Sequence, residues 1–405
     1  GAFATIDLGS GASVGTLRYV GTSAASTNRI FNLAGSSGGG AIEASGDGAL
    51  TVTSSLTGTA GNKTLTLGGT GTAVNTFSGA INNVTSGTIS VVKDGPGTWR
   101  LSGANGYGGG LTVRQGTLRV AQNDNFGGTP GSGFDVVVGD GGSTASGTAA
   151  LLLGQSGTIS QQFTVASLTG AASQAVVIGG YDNSGTAVYK SAITLNRDVT
   201  LVAAGSGANK GTTWFTNTWA TGTSGATPTV TVGAAGYEGT VILESGTTAS
   251  GVALPAAVSG LKVERGTLQL GLAAGQNLMA SAAPVTIGSA GGPATLDLNR
   301  STVNQGSFTF TGNGSTLSDS DGRGVLRLSN SGSAATVTVG GTGHVISAAV
   351  ALDDAATFAV ASGGRLLVSS AIASGNNGAK TLTKSGAGVL ELTGANTYAG
   401  QTAVT

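Results

Sequence analysis

The residues of this chain that could do chemistry are few, and the acidic ones are the first candidates. Two carboxylates facing one substrate can serve as the acid and the base or nucleophile of glycoside hydrolysis. The acidic clusters closest in sequence lie in turn-forming contexts rich in Gly, Ser and Asn. They are Asn123–Asn125, which contains Asp124, then Asp319–Gly322, and then Asp353–Asp354. Because sequence alone does not show whether distant acids converge, a polysaccharide-active enzyme is kept as the third of three functional hypotheses.

Two further candidates for chemistry point away from catalysis. Asp319 and Asp321 resemble the start of a calcium-binding loop, but the closing Glu and the remaining ligands are missing. They are therefore a weak calcium candidate, and we predict no metal and no cofactor. The single histidine, His344, has no Ser or carboxylate motif nearby, which indicates a turn residue. We predict that the chain is not an enzyme.

The one concentration of aromatic residues is the segment Lys210–Trp219, which holds two of the three tryptophans. Trp214, Phe215 and Trp219 are the candidate ligand-binding residues, because exposed indole rings can stack on sugars. The odd spacing of the two tryptophans places them on opposite faces of a single strand, unless a loop or a paired edge brings them together. The alternative is that these rings cover an apolar coil or the base of a loop.

Composition indicates an all-β chain and excludes several partners. Of the 405 residues 74 are Gly and none is Cys, only 9% are charged, and 18 basic residues balance 18 acidic ones. Dense Gly disfavours helices, whereas Ser, Thr and Val suit strands. A neutral chain without a basic stripe offers no surface for nucleic acid or for anionic lipid. No apolar run of about 18 residues could cross a membrane as a helix.

Repetition decides the fold class. The segment Lys93–Gly109 recurs without a gap as Lys384–Gly400, and Gly110–Val120 recurs in part as 260–270. Short alternating runs bounded by Gly, Asn, Asp and Ser separate these copies, as in stacked coils of roughly 20–25 residues. We predict one continuous parallel β-helix over residues 1–405, an elongated rod. An array of β-sandwiches is the rival, but no composition break marks its domains.

The positions shared by the two long copies are typical of coil corners. Gly permits tight turns, Asn suits left-handed corners or a ladder of stacked amides, Tyr can cover an apolar edge, and Lys can cap the carbonyls of a turn. These predicted structural residues are Lys93, Gly95, Gly97, Gly103, Asn105 and Tyr107 in the first copy, and Lys384, Gly386, Gly388, Gly394, Asn396 and Tyr398 in the second.

The pattern K-x-G-x-G-x-x-x-L-x-G-x-N-x-Y-x-G, followed by T-x-V-x-x-G-T-L, resembles the passenger-associated transport repeat of autotransporter passengers. It is complete at 93–120, partial at 260–270 and truncated at 384–405. The resemblance implies a right-handed parallel β-helix at the cell surface of, or outside, a Gram-negative-type bacterium. It also implies an outer-membrane translocator as a partner, which this sequence does not contain.

The resulting functional hypothesis is a non-catalytic extracellular scaffold, a fibre or stalk displayed on a bacterial surface. The runner-up is an adhesin that binds host or glycan ligands through protruding loops. Neither end of the sequence resembles the polar cap that a solenoid needs. We therefore expect that the chain is an excerpt that continues, or that copies associate end to end.

Overall fold

The computed structural model describes residues 5–121, 126–128, 134–139, 146–154, 157–168, 173–216, 219–222, 225–244, 254–271 and 283–405. Every regular element in these residues is a β-strand, which confirms the all-β parallel β-helix. The described residues contain no helix that could span a membrane. Two compact units divide the chain, Gly1–Arg197 and Asp198–Thr405. The continuity of a single solenoid over residues 1–405 stays a prediction.

The first unit consists of parallel sheets in which hydrogen-bonded neighbours lie one coil apart. Strands β2, β5, β8, β10, β12, β14, β17 and β20 form one sheet, β3, β6, β9, β11, β13, β15 and β18 form a second, β1, β4 and β7 form a third, and β16 pairs with β19. The strands are β1 (Ile6–Leu8), β2 (Gly15–Tyr19), β3 (Ala25–Thr27), β4 (Phe31–Leu33), β5 (Gly39–Ala44), β6 (Leu50–Val52), β7 (Thr57–Gly58), β8 (Lys63–Gly68), β9 (Val74–Phe77), β10 (Ile89–Lys93), β11 (Thr98–Leu101), β12 (Leu111–Val113), β13 (Gly116–Val120), β14 (Asp135–Val138), β15 (Thr148–Leu153), β16 (Thr158–Ile159), β17 (Gln162–Val165), β18 (Ala175–Gly180), β19 (Thr186–Tyr189) and β20 (Ile193–Leu195).

The second unit repeats this plan. Strands β21, β26, β28, β30, β33, β36, β39, β42 and β44 form one parallel sheet, β24, β27, β29, β31, β34, β37, β40 and β43 form a second, β32, β35, β38 and β41 form a third, and β22 and β23 form an antiparallel hairpin. The strands are β21 (Val199–Val202), β22 (Gly205–Ser206), β23 (Asn209–Lys210), β24 (Thr212–Phe215), β25 (Trp219–Thr221), β26 (Thr229–Val232), β27 (Thr240–Leu243), β28 (Gly260–Val263), β29 (Gly266–Leu270), β30 (Val285–Ile287), β31 (Ala294–Asp297), β32 (Thr302–Gln305), β33 (Ser307–Phe310), β34 (Thr316–Ser318), β35 (Val325–Leu328), β36 (Ala335–Val339), β37 (His344–Ile346), β38 (Ala349–Leu352), β39 (Ala356–Val360), β40 (Arg365–Val368), β41 (Ile372–Ser374), β42 (Leu382–Ser385), β43 (Val389–Leu392) and β44 (Thr402–Val404).

The register shows how long each coil is. Thr16 pairs with Ala41 and Ala41 with Thr66, so these first coils repeat every 25 residues. Later coils carry longer connections: Phe163 pairs with Ile193, 30 residues away. The predicted coil of 20–25 residues is therefore too short for part of the chain, because insertions lengthen the loops without changing the strand stacking.

The core consists of ladders of like side chains. In the second unit Leu268, Leu296, Leu317, Ile346 and Val368 stack in register, and each is at most 1% exposed. Burying one such side chain contributes about 1.5–3 kcal/mol. The alternate positions of the same strands point outward. A coil that carries the same type of residue at its inward position therefore extends the core by one layer.

Glycines of the two long repeats serve two different purposes. Gly95 and Gly386 have φ of 70° and 79°, a left-handed corner that favours Gly. Gly103 and Gly394 instead lie against the preceding coil: a Cβ at Gly103 would stand 2.1 Å from the carbonyl oxygen of Gly79, and one at Gly394 would be as crowded. A Cβ at Gly388 would stand 2.2 Å from the Ala361 carbonyl oxygen, whereas one at Gly97 would be less crowded, 2.9 Å from that of Gly71.

The repeat lysines cap turn carbonyls. Lys93 is fully buried, and its Nζ donates to the carbonyl oxygens of Asp94 at 2.9 Å, Gly95 at 2.6 Å and Gln115 at 2.9 Å. Lys384 Nζ donates to the carbonyl of Gly386. A buried ammonium is tolerable here because its three protons meet carbonyl acceptors that the corner leaves unpaired.

The repeat asparagines make the same contact in both copies. Asn105 Oδ1 accepts the backbone N–H of Ile81 at 2.9 Å, and Asn396 Oδ1 accepts that of Ile372 at 2.9 Å. In each case the acceptor lies one coil after the donor. Each amide therefore continues the hydrogen bonding between coils at a corner, where no strand carbonyl is available.

The repeat tyrosines differ between the copies. Tyr107 is fully buried with its ring 5.6 Å from that of Phe134, and burial raises the pKa of its phenol. Tyr398 is half-buried, and its hydroxyl shares a hydrogen bond of 2.7 Å with Thr402 Oγ1. The same motif position therefore fills the core in one unit and lies at the surface in the other.

Replacing Gly103 by Ala tests the close approach of the coils. We expect Gly103→Ala to destabilise the first unit by about 1–3 kcal/mol, because a Cβ would overlap the carbonyl oxygen of Gly79. Urea unfolding followed by the fluorescence of buried Trp99 measures this. Gly68→Ala is the matched control, since its Cβ would meet only ordinary contacts. Equal stability of the two variants would contradict the crowding.

The pH dependence of stability tests the buried ammonium. Burial lowers the pKa of Lys93 to about 8, although nearby Asp94 opposes the shift. Between this value and the ordinary pKa of 10.5 the unfolded chain holds a proton that the native chain has lost, so stability rises with pH. Between pH 8 and pH 10.5 the free energy of unfolding of the wild type should rise by about 3 kcal/mol relative to that of Lys93→Met.

The measurement is urea unfolding of both proteins at intervals from pH 7 to pH 11, with Lys262→Met, which removes an exposed ammonium, as the control. We expect the Lys262 variant to keep the pH profile of the wild type. Parallel profiles of the wild type and Lys93→Met would refute the assigned cause.

Candidate functional site

The three aromatic candidates separate in the structure. Strand β24 alternates, with Thr213 and Phe215 buried and Trp214 half-buried on the outer face. Phe215 and Trp219 pack against each other with ring centroids 5.3 Å apart, and they are only 1% and 9% exposed. The two tryptophans therefore do not form an exposed pair, and Trp214 alone of the three faces the surface.

Trp214 lies in a groove of about 270 Å³ in the second unit. Its floor follows an outward ladder, because Trp214 pairs in register with Ile242 and Ile242 with Gln269. Trp214 Nε1 is shielded from solvent and finds no hydrogen-bond acceptor among the described residues. The groove is lined by Trp214, Ile242, Glu244, Gln269, Gly271, Asn299 and Arg300.

One side of the groove is a turn with an unusual backbone. Asn299 and Arg300 have φ of 42° and 69°, a region that costs a non-glycine residue of order 1–3 kcal/mol. Two carboxylates hold this turn: Asp297 Oδ1 accepts the Asn299 N–H at 3.2 Å, and Asp319 Oδ1 accepts the Arg300 N–H at 2.9 Å. Asn299 Nδ2 also donates to the Leu270 carbonyl at 2.9 Å. The strained turn is fixed by bonds from three coils.

Asp297 is buried and accepts three hydrogen bonds. Besides Asn299, it accepts Gln269 Nε2 at 2.9 Å and the Ser320 N–H at 2.8 Å. Burial would raise the pKa of Asp297, but the hydrogen bonds from Gln269, Ser320 and Asn299 outweigh it and hold the pKa below its ordinary value. The carboxylate therefore stays ionised as an acceptor for turn amides.

The weak calcium candidate is occupied by other partners. Asp319 Oδ2 accepts the Gly324 N–H at 2.6 Å, while its other oxygen holds Arg300. Asp321 lies 3.6 Å from Arg300 Nη2 and 3.2 Å from Arg323 Nε. Two guanidinium groups beside one carboxylate oppose a divalent cation. In the described residues no group of three or more His, Cys, Asp or Glu side chains could hold a metal ion.

The other acidic cluster also serves the backbone. Asp353 forms a two-pronged ion pair with Arg327, at 2.7 and 2.5 Å, and accepts the Asn376 N–H at 2.8 Å. Asp354 Oδ2 accepts the N–H groups of Asn330 and Gly332. The third cluster, around Asp124, lies outside the described residues.

His344 begins strand β37 and is 1% exposed, so its interpretation as a turn residue is wrong. Its Nδ1 accepts the Ser315 N–H at 3.2 Å, and its Nε2 lies 2.9 Å from the Gly340 carbonyl. The ring also packs 5.3 Å from that of Phe310. Both nitrogens are therefore engaged by backbone, with Nε2 carrying the proton, and a substrate has no access to them.

Two segments match the Gly-x-Ser-x-Gly pentapeptide of serine hydrolases, Gly11–Gly15 and Gly35–Gly39. That motif acts at a sharp turn from a strand into a helix, with a His within reach. Here each segment leads into a strand, β2 or β5, and the single His lies at position 344. The match carries no catalytic geometry.

A second groove, of about 380 Å³, lies in the first unit. Arg18 Nε pairs with Glu43 Oε2 at 2.6 Å, and Asp94 Oδ1 accepts the Gly95 N–H at 2.7 Å. Its charged groups are thereby paired, and no aromatic side chain is among the described residues that line it. This groove offers less for recognition than the one around Trp214.

Sequence reasoning found Trp214 but missed the residues around it. Ile242 and Gln269 follow one and two coils later, and no local signal joins them to Trp214. Asn299 carries a usable signal, because Asn after a strand favours left-handed backbone. Arg300 carries none, since its placement depends on Asp319 of the next coil.

Comparisons with known proteins agree with this architecture. The passenger-associated-transport-repeat family matches residues 91–120 and 382–405. A segment of 132 residues is 39% identical to the adhesin BmaC autotransporter of Brucella suis biovar 1 (strain 1330). That match covers 31% of this chain and 4% of the relative. No solved structure matches the chain significantly.

Both lines of comparison concern the same kind of protein. The matched repeats are the two corners in which Lys, Gly and Asn bind the coils together, and the relative is itself an autotransporter. The chain therefore resembles the passenger of an autotransporter, and these two similarities indicate display outside the cell or at the cell surface of a Gram-negative bacterium.

Proposed function

We propose that this segment is a non-catalytic scaffold, a stalk of the displayed passenger. The observation that carries the proposal is the use of its reactive side chains. Asp297, Asp319, Asp354 and His344 each engage backbone groups of turns or strands, and Asp353 engages both an arginine and a turn amide. A general acid or base must instead reach a proton of the substrate.

The arrangement of these groups follows the needs of the fold. Each acid accepts N–H groups that a corner leaves without a strand partner, and each buried lysine donates to corner carbonyls. Lys63 does so in the first unit, with Nζ bonded to the carbonyls of Gly35, Ser36 and Ala60. The contribution of these residues to the stability of the coils therefore explains their presence, and no role in binding a substrate is needed.

Replacing Asp297 separates the scaffold from an enzyme. We expect Asp297→Asn to destabilise the second unit by about 1–3 kcal/mol at pH 7, because the amide replaces one acceptor oxygen by an NH2 group, which would face an N–H donor instead of accepting from it. Since the native pKa lies below the ordinary one, this difference should vanish as the pH falls through the native pKa. Urea unfolding across pH 2–7 measures it.

Glu264→Gln, in the same unit and without a side-chain hydrogen bond among the described residues, is the control and should change little. The same proteins are assayed for release of reducing ends from neutral and acidic polysaccharides. We expect none. Turnover by the wild type that Asp297→Asn abolishes while stability is kept would refute the scaffold.

A second candidate function, adhesive contact, is favoured by two observations. The relative that shares 132 residues with this chain is named an adhesin. The second unit also keeps a tryptophan half-exposed in a groove with mixed polar groups, which a purely structural surface does not need.

Competition tests the adhesive contact. Bacteria that display the parent passenger are incubated with cultured epithelial cells in the presence of the purified chain. If this segment makes the contact, the soluble chain should lower attachment in a dose-dependent way, while heat-unfolded chain should not. Attachment that the folded chain leaves unchanged would assign adhesion to other parts of the passenger.

A further inference from the structure

We infer that the groove around Trp214 binds an uncharged sugar ring of a glycan. This inference rests on the second candidate function, adhesive contact, and names the class of ligand for it. It is independent of the scaffold role, because the groove lies on the outer face and its floor residues do not belong to the core.

The floor of the groove offers a flat apolar surface. Trp214 is the accessible tryptophan, since Trp99 is fully buried and Trp219 is 9% exposed. Ile242 stands beside it in the next coil and extends the apolar surface by one strand spacing. The Trp214 indole offers a broad apolar face while its Nε1 is shielded from solvent, so it suits the apolar face of a sugar ring.

The rim supplies hydrogen-bonding groups of both kinds. Glu244 can accept, Arg300 can donate, and the amides of Gln269 and Asn299 can do both. Gln269 already donates to Asp297, and Asn299 to the Leu270 carbonyl, which leaves the amide oxygens as acceptors. Hydroxyl groups, which donate and accept, match such a mixed rim.

The charges of the groove favour a neutral ligand over an anionic one. Arg300 is the one cationic residue among the described residues of the lining, and its guanidinium already lies 3.6 Å from the carboxylate of Asp321. Glu244 faces the same groove and would repel a second carboxylate. An acidic sugar would gain little from a shared cation and would lose energy to an adjacent anion.

The rim is held in place before any ligand arrives. Asn299 and Arg300 both adopt left-handed backbone, and Asp297 and Asp319 fix their N–H groups from the same and the next coil. Non-glycine strain of this kind persists where the surroundings impose it, and it concentrates at ligand sites. The volume of about 270 Å³ is below that of pockets for drug-sized ligands, so it suits one ring.

The test is a titration of the purified chain followed by the indole N–H signals of its three tryptophans. The probes are the methyl glycosides of glucose, galactose, mannose and N-acetylglucosamine, with glucuronate and N-acetylneuraminate as charged probes. We expect a saturable shift of the Trp214 signal, assigned by its loss in Trp214→Phe, with at least one neutral glycoside. Trp99 and Trp219 should not shift.

Variants place the ligand in the groove. Trp214→Ala and Arg300→Gln should each weaken binding at least about tenfold, as measured by saturation transfer to the glycoside. Arg323→Gln is the matched control, because Arg323 also pairs with Asp321 but does not line the groove. It should leave binding unchanged. Circular dichroism and thermal unfolding check that each variant is folded.

Several results would overturn the inference: no shift of the Trp214 signal with any neutral glycoside, binding to charged probes alone, or equal effects of the two arginine variants. Should Trp214→Ala fail to fold, the comparison of Arg300→Gln with Arg323→Gln still shows whether the ligand binds in the groove.

If the chain competes for attachment but binds no glycoside, adhesive contact stands and the sugar site fails. If it binds a glycoside but does not compete, the site stands and adhesive contact fails.

Discussion

Parallel coils in register place every strand residue above its equivalent, and the backbone hydrogen bonds of the strands run almost entirely between neighbouring coils. This arrangement satisfies the strands but leaves N–H and carbonyl groups at the corners without regular partners. Buried polar backbone that stays unpaired costs about as much as a lost hydrogen bond. Each corner therefore needs a side chain, or a glycine that lets the next coil approach.

Most of the side chains that look reactive in the sequence form hydrogen bonds with these backbone groups. Lys93 donates hydrogen bonds to three carbonyl oxygens, and Asn105 and Asn396 accept N–H groups of the preceding coil. Asp297 accepts the N–H groups of two turn residues. Even His344 uses both ring nitrogens on backbone. The charged residues of this fold are few, and these ones lie where the backbone of the coils would otherwise carry unpaired polar groups.

In the second unit the outer face carries a half-buried aromatic side chain. Trp214 faces outward in the same strand whose Phe215 fills the interior. A turn with two left-handed non-glycine residues closes one side of its groove. The same carboxylates that stabilise the coils thereby also position one side of the groove that we propose as a binding site.

The sequence alone determined the class of fold, because like residues recur at equal positions and a coil can bury them only by stacking on the next. It also identified the repeat corners, whose Lys, Gly and Asn act within one or two coils. It could not place Ile242 or Arg300 beside Trp214, nor show that Trp219 is buried, nor that coils lengthen to 30 residues. Those outcomes depend on loop lengths between strands, which set the register of distant residues. Only the tertiary structure decides them, since hydrogen bonds between coils fix neighbours that the sequence separates.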